Sequence, residues 1–392
     1  MTPFGPRDAE NTGPTVQVAQ GNNRFALELY SRLRAGQGNL FFSPYSVSTA
    51  LAMSYGGARG DTAAQMARTL HFPPDQERLH AAVASLEATL SGVEKKGEVQ
   101  LTVANALWPQ EGHDLLESFL ALTKAYYGVL VTSVDYRDPQ AAARTINGWV
   151  ERATQDQITN LVAPDVLSSL TRLVLTNAIY FKGSWASQFD KDHTTDVAFW
   201  VAAKQRVTAR MMAQSDEFRY AAHDRLQVLE LPYAGEDLSM TVLLPRARDG
   251  LAELEEGLTL ENLERWTRDL SATEVDVFLP RFTITSAFQL NDALLSMGMA
   301  DAFDIGKADF SGMDGRKNWF YIGAVLHKAF TAVDEEGTEA AAATAVVMVM
   351  GLPEEAPPTF RADHPFLFLI RECSTGSILF LGRVVDPTSD AA

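Results

Sequence analysis

The groups in this chain whose chemistry could drive a reaction are seven histidines, one cysteine and 50 carboxylates. An esterase-type acyl transferase needs a G-x-S-x-G pentapeptide to lift a serine onto a strand-to-helix turn, and no such pentapeptide occurs. A metalloprotease helix would carry H-E-x-x-H, yet His71, His80, His113, His193, His223, His327 and His364 are scattered along the chain without metal-ligand spacing. There is no G-x-x-x-x-G-K-[ST] phosphate loop. Gly56-Gly57-Ala58-Arg59-Gly60 follows a helical pattern and not a strand, so it reads as a turn and not as a nucleotide cradle. Cys373 sits between an apolar run and Ser374-Thr375-Gly376, a hairpin-turn composition, which suits a strand-end thiol with no chemical role. With 50 acidic residues, carboxylate pairs arise everywhere and single out no acid–base couple. The reading is not an enzyme, with no metal site and no cofactor.

What stands out instead is Glu335–Pro358, EEGTEAAAATAVVMVMGLPEEAPP, which has no aromatic residue and joins two convincing strands at 318–333 and 365–371. A connection of this length inside a compact domain is usually functional or disordered. Disordered linkers are charged or rich in Ser, Gly and Pro, whereas Thr338–Leu352 holds a single charge, Glu339. Thr344–Met350 is a β-prone apolar run of the kind that is a liability in solvent. Such a segment has to behave as a strand at some moment.

The elements around it are helical first and stranded later. Apolar spacing predicts helices over 16–33, from Ser43-Pro44 to Gly56-Gly57, from an Asp61 or Thr62 cap to Leu70, and over 76–91, 115–126 and 138–154. Strand-like runs cover 39–42, 99–107, 170–181, 206–213, 226–231, 238–245, 272–283, 318–333, 365–371 and 377–384, with helical patches at 250–268 and 288–298. This order without βαβ alternation predicts an α+β fold. No repeat or long linker divides the 392 residues, so we expect a flexible lead-in over 1–14 and one domain over 15–390, with its loop at about 335–358.

Charge narrows the partners. The 33 basic and 50 acidic residues leave −17 at pH 7, which argues against nucleic acid, heparin-like chains and anionic membrane surfaces as partners. No apolar run reaches the roughly 20 residues of a membrane span. Met1–Pro14 lacks the apolar core of a signal peptide. The chain is expected outside the cell if a leader precedes it and in the cytoplasm otherwise. A single cysteine forms no internal disulfide.

Several motifs, in order, resemble one family. Phe42-Ser43-Pro44-Tyr45-Ser46-Val47 through Gly56-Gly57-Ala58-Arg59-Gly60 and Thr62 is similar to a serpin's second helix and following turn. Thr176-Asn177-Ala178-Ile179-Tyr180-Phe181-Lys182-Gly183-Ser184-Trp185, with Phe189, resembles the family's central strand and the Trp at its top. Leu279-Pro280-Arg281-Phe282, His364-Pro365-Phe366-Leu367-Phe368 and Gly376-Ser377-Ile378-Leu379-Phe380 with Gly382-Arg383 continue the match. The chain is thereby identified as a member of the serpins, inhibitory and prokaryotic-looking, from about Asn22 to Pro387.

The resemblance implies a single domain of three β-sheets, eight or nine helices and an exposed reactive-centre loop. It implies a monomeric, metastable inhibitor of a serine peptidase. The loop is bait, and once cleaved it inserts as a new strand into the large sheet and traps the acyl-enzyme. The alternative is a non-inhibitory member acting as carrier, chaperone or storage protein. Glu336, Gly337, Thr338, Glu339, Ala340, Ala341, Ala342 and Ala343 match the loop hinge of inhibitory members. Strand alternation supports insertion. Thr338, Ala340, Ala342, Thr344, Val346 and Met348 share one small or apolar face, and Glu339 falls on the other. Family register places the reactive bond at Gly351–Leu352, and a one-residue slip places it at Met350–Gly351. No Arg or Lys is near, which disfavours trypsin-like targets and suits elastase-, subtilisin- or chymotrypsin-like ones. Ser43, Ser46, Asn177 and His327 match the polar shutter beneath the sheet opening, and Trp185 the breach where the loop first enters.

Overall fold

The computed structural model describes residues 13–129, 131–338 and 356–389. Helices and strands follow the chain as α1 (Pro14–Leu33), β1 (Leu40–Phe42), α2 (Pro44–Tyr55), α3 (Gly60–Thr69), α4 (Gln76–Glu94), β2 (Val99–Pro109), α5 (Glu117–Tyr127) and α6 (Pro139–Ala153). Strands then dominate, with β3 (Leu173–Ser184), β4 (Thr195–Ala202), β5 (Gln205–Ala222), β6 (Leu226–Pro232) and β7 (Leu238–Pro245). The remainder is α7 (Leu251–Glu256), α8 (Leu260–Arg268), β8 (Ser271–Pro280), β9 (Phe282–Gln289), α9 (Asn291–Ser296), α10 (Ser311–Asp314), β10 (Ile322–Val333), β11 (Gly337–Thr338), β12 (Thr359–Arg361), β13 (Phe366–Glu372) and β14 (Ile378–Val384). Ten α-helical segments stand among the described residues, against the eight or nine expected, because one-turn pieces such as α10 are counted.

Five strands form the sheet that matters for function, in the order β11-β3-β10-β9 with β2 on the far side of β3. The other nine form one hydrogen-bonded sheet, β1-β14-β13-β7-β6-β5-β8-β12, with β4 added to β5. Two of the three expected sheets merge here because β5 is 18 residues long. Its first part pairs with β4 and its last part with β6, so a single strand belongs to both. The predicted 272–283 run is instead two strands, since Pro280 ends β8 and Arg281 donates its backbone N–H to Arg210 O at 2.8 Å. The expected Asp61 or Thr62 cap also moves. Arg59 occupies the N-cap of α3, and the Thr62 hydroxyl accepts from the Asp309 backbone N–H at 2.9 Å.

The five-stranded sheet is covered on both faces, which explains the near-continuous apolar texture of β3. Val174 and Ala178 join Trp108, Ile146 and Val150 in a core beneath α6. Ile179 and Phe181 pack on the opposite side with Phe41, Phe368 and Phe380 of the nine-stranded sheet. Among the described residues no helix is long and apolar enough to cross a membrane. None of them forms a group of three or more His, Cys, Asp or Glu able to hold a metal ion.

Candidate functional site

β3 and β10 run parallel and are paired directly, from Ile322 on Leu173 to Phe330 on Tyr180. The sheet is therefore closed, with no strand between them. Within this pairing Asn177 faces His327, and on its other side Asn177 faces Asn105 of β2. Three polar side chains thus form one row across three strands, on the same face as the apolar Ile179 and Phe181. All three are buried.

Helix α2 supplies their partners. Ser43 is its N-cap, accepting from the Ser46 backbone N–H at 3.1 Å, and Pro44 occupies the first turn, where its missing N–H costs nothing. The Ser43 hydroxyl donates to Leu379 O of β14 at 2.7 Å, and the Ser43 backbone N–H donates to His327 Nε2 at 3.0 Å. Ser46 Oγ donates to Asn105 Oδ1 at 3.1 Å. The Asn177 amide nitrogen donates to Ser46 Oγ and Asn105 Oδ1, while its oxygen faces His327 Nδ1. With Nε2 accepting, Nδ1 carries the proton and His327 is neutral. Burial favours the same state and pushes its pKa down to about 3.

A pH dependence follows. An unfolded histidine binds a proton below about 6.5, whereas folded His327 stays neutral down to about 3. The unfolded chain holds more protons in that window, so stability is full above it and falls as pH drops. Between pH 7.5 and 5.0 this group alone removes about 2 kcal/mol. Burial also lowers His80, to about 4, so both histidines contribute to the total slope. Comparison of urea unfolding at the two pH values with His327→Gln isolates the first, and equal losses in both proteins would refute the assignment.

At the end of β3, roughly 23 Å from Asn177 by strand rise, the second group forms. Beyond Phe330, β10 pairs only with β9, and the chain turns at Asp334 so that Gly337 and Thr338 lie antiparallel against Ser184 and Gly183. The Asp334 N–H donates to Gly337 O at 2.8 Å to close this turn. Trp185 holds it from below, donating its indole N–H to Asp334 O and its backbone N–H to Glu336 O, each at 3.0 Å. The indole stacks on Tyr233 at 4.7 Å. Gly337 has φ of +141°, and a Cβ there would fall 2.2 Å from Gly183 O, so the strand approaches only because this residue is glycine. Glu335 is buried, accepts from Thr194 Oγ1 at 2.7 Å and has Arg281 Nη1 at 3.4 Å. Glu336 pairs with exposed Lys191, which holds that ammonium's pKa up. Burial raises the pKa of Asp334.

The structure thus brings Ser43, Ser46, Asn177 and His327 together, and separately brings Trp185 to Glu336 and Gly337. Glu339, Ala340, Ala341, Ala342, Ala343, Met350, Gly351 and Leu352 lie outside the described residues. Asn105, Thr194 and Arg281 escaped the sequence reading as members of these groups. An Asn inside the apolar 99–107 strand was the available signal for the first.

A family model described as "Serpin (serine protease inhibitor)" matches residues 20–387. Leukocyte elastase inhibitor of Homo sapiens is 45% identical over 385 residues, covering 95% of this chain and 100% of that protein. An uncharacterised serpin-like protein of Thermococcus kodakarensis is 42% identical, covering 97% and 91% respectively. Among solved structures, Serpin48 of the insect Tenebrio molitor aligns with a TM-score of 0.85 at 34% identity, covering 97% of this chain and 99% of its own. Uncleaved ovalbumin aligns at 0.86 and 28% identity, covering 95% and 100%. The fold, the family model and these relatives agree: the chain belongs to the serpins, a family of serine protease inhibitors.

Proposed function

We propose that the protein is an irreversible, suicide-substrate inhibitor of serine peptidases of elastase-, subtilisin- or chymotrypsin-like specificity. A peptidase cleaves Gly351–Leu352 or Met350–Gly351, and the freed loop inserts between β3 and β10 before the acyl-enzyme hydrolyses. The observation that carries this reading is the position of Gly337 and Thr338, already paired antiparallel to β3 where β10 has separated from it. A strand continuing in that direction enters the β3–β10 seam. Opening the seam separates Asn177 from His327, and because Ser43 and Ser46 share the first turn of α2, the helix keeps only one of its two attachments, Ser43 N–H to His327 or Ser46 Oγ to Asn177. The inhibitor acts as a monomer and without heparin, in keeping with its −17 charge.

Mixing with elastase- and subtilisin-type peptidases should give an SDS-stable complex on a denaturing gel, and mass spectrometry of the released C-terminal fragment reads the cleaved bond. Loop cleavage by every such peptidase without any stable complex would instead favour a carrier, chaperone or storage role.

A further inference from the structure

A cavity of about 800 Å³ opens where the β5–β6 turn and the segment after β7 meet α7 and α8. None of its lining residues belongs to the shutter row or the hinge. Buried Leu226, Leu254 and Trp266 make an apolar floor. The rim carries Arg225, Arg246 and Arg265, a local inversion of sign in a chain of net charge −17. Two carboxylates, Asp224 and Glu253, share this rim, and Glu253 is already paired with Arg225.

The walls are held in place without a ligand. Arg246 donates its Nε–H to His223 O at 2.7 Å and its backbone N–H to Arg225 O at 2.8 Å. His223 Nε2 lies 3.4 Å from Trp266 O and ties the turn to α8. Small-molecule sites combine a preformed apolar cleft of roughly 300–1,000 Å³ with a few convergent polar groups, and this cavity has both.

We propose that it binds a small amphipathic monocarboxylate. The apolar body covers Trp266 and Leu254, and the carboxylate is gripped by Arg246 and Arg265, since guanidinium groups match carboxylate geometry. A polyanion is disfavoured because Asp224 and Glu253 would face its further charges.

The test uses pyrene-1-butyrate and its neutral counterpart, 1-pyrenebutanol, with energy transfer from tryptophan as readout. The carboxylate should bind saturably to the full-length protein, and the alcohol about tenfold more weakly or worse, the lower end of what a charge-assisted hydrogen bond contributes. Arg246→Ala with Arg265→Ala should weaken the carboxylate by about the same factor. Both arginines are exposed, and unchanged affinity of the double variant for the neutral alcohol shows that the cavity wall survives the loss of the Arg246–His223 bond. Ala222→Trp, at an exposed lining position, should block the mouth and abolish transfer from bound probe. Absence of saturable binding up to ~1 mM, a limit of about −4 kcal/mol, overturns the proposal. So does equal affinity for the alcohol, or unchanged affinity in the double-arginine variant.

Discussion

Nicked once within the 339–355 segment, the protein should melt about 15–30 °C above the intact chain, the shift that about 5–10 kcal/mol of added stability produces. In the intact form β3 and β10 share one parallel ladder from Ile322/Leu173 to Phe330/Tyr180. A strand inserted between them replaces that ladder with two antiparallel ones, which are slightly more stable per residue. On the proposed mechanism insertion also buries Thr344, Val346 and Met348, which are apolar or small. Under that mechanism insertion waits for cleavage, because in the whole chain Thr338 stays joined to β12 at Thr359. Cutting removes that tether. Calorimetry of the intact and nicked protein checks the expectation, and coincident melting temperatures would mean that the loop stays outside the sheet.

Thr338→Arg should turn inhibition into simple cleavage, with insertion slowed about a hundredfold or more. Thr338 is the last described residue of the hinge and pairs with Gly183. Its register opposite Gly183 places this position on the sheet face that carries Asn177, Ile179 and Phe181, the face that insertion would bury. An unpaired guanidinium carried into that interior costs about 3–5 kcal/mol, and each 1.4 kcal/mol in the barrier is about tenfold in rate. Hydrolysis of the acyl-enzyme is unaffected, so it wins the race. On a denaturing gel the stable complex should vanish while nicked inhibitor accumulates at the wild-type rate of cleavage. A variant that still traps peptidase as efficiently would show that entry of this residue is not the deciding step. The two experiments separate the end state from the path. The first measures what insertion gains, and the second how quickly it begins.

Much of this mechanism is legible along the chain because it is written in local composition. The alanine tetrad, the single charge at Glu339 and the glycine at 337 are unusual for a surface connection. On the proposed mechanism they suit a segment that becomes a strand. Gly337 is a case where structure supplies the reason: the backbone of Gly183 and Ser184 leaves no room for any Cβ. The helices were read to within a few residues wherever an apolar face repeated. The exceptions are ends decided elsewhere, such as α3, whose expected cap hydroxyl on Thr62 is engaged by Asp309. Strands β4 and β12 were not read at all. β4 pairs only with β5 and has little buried surface, and β12 is three residues long, so neither carries a strong alternation.

By itself the sequence determined the α+β class, the family resemblance, the absence of an internal disulfide and the character of the loop, since each depends on residue types or on spacing within a few turns of chain. Only the tertiary structure decided which polar residues meet. Asn177 reaches Asn105 across 72 positions and His327 across 150, and Glu335 meets Arg281 and Thr194 from other elements. The first two encounters are set by strand register, and a shift of one residue would turn those side chains to the opposite face, while Glu335, Arg281 and Thr194 lie between strands and meet because the strand ends converge. Register is a property of the assembled sheet, fixed by burial on both of its faces. No local window of the chain contains it.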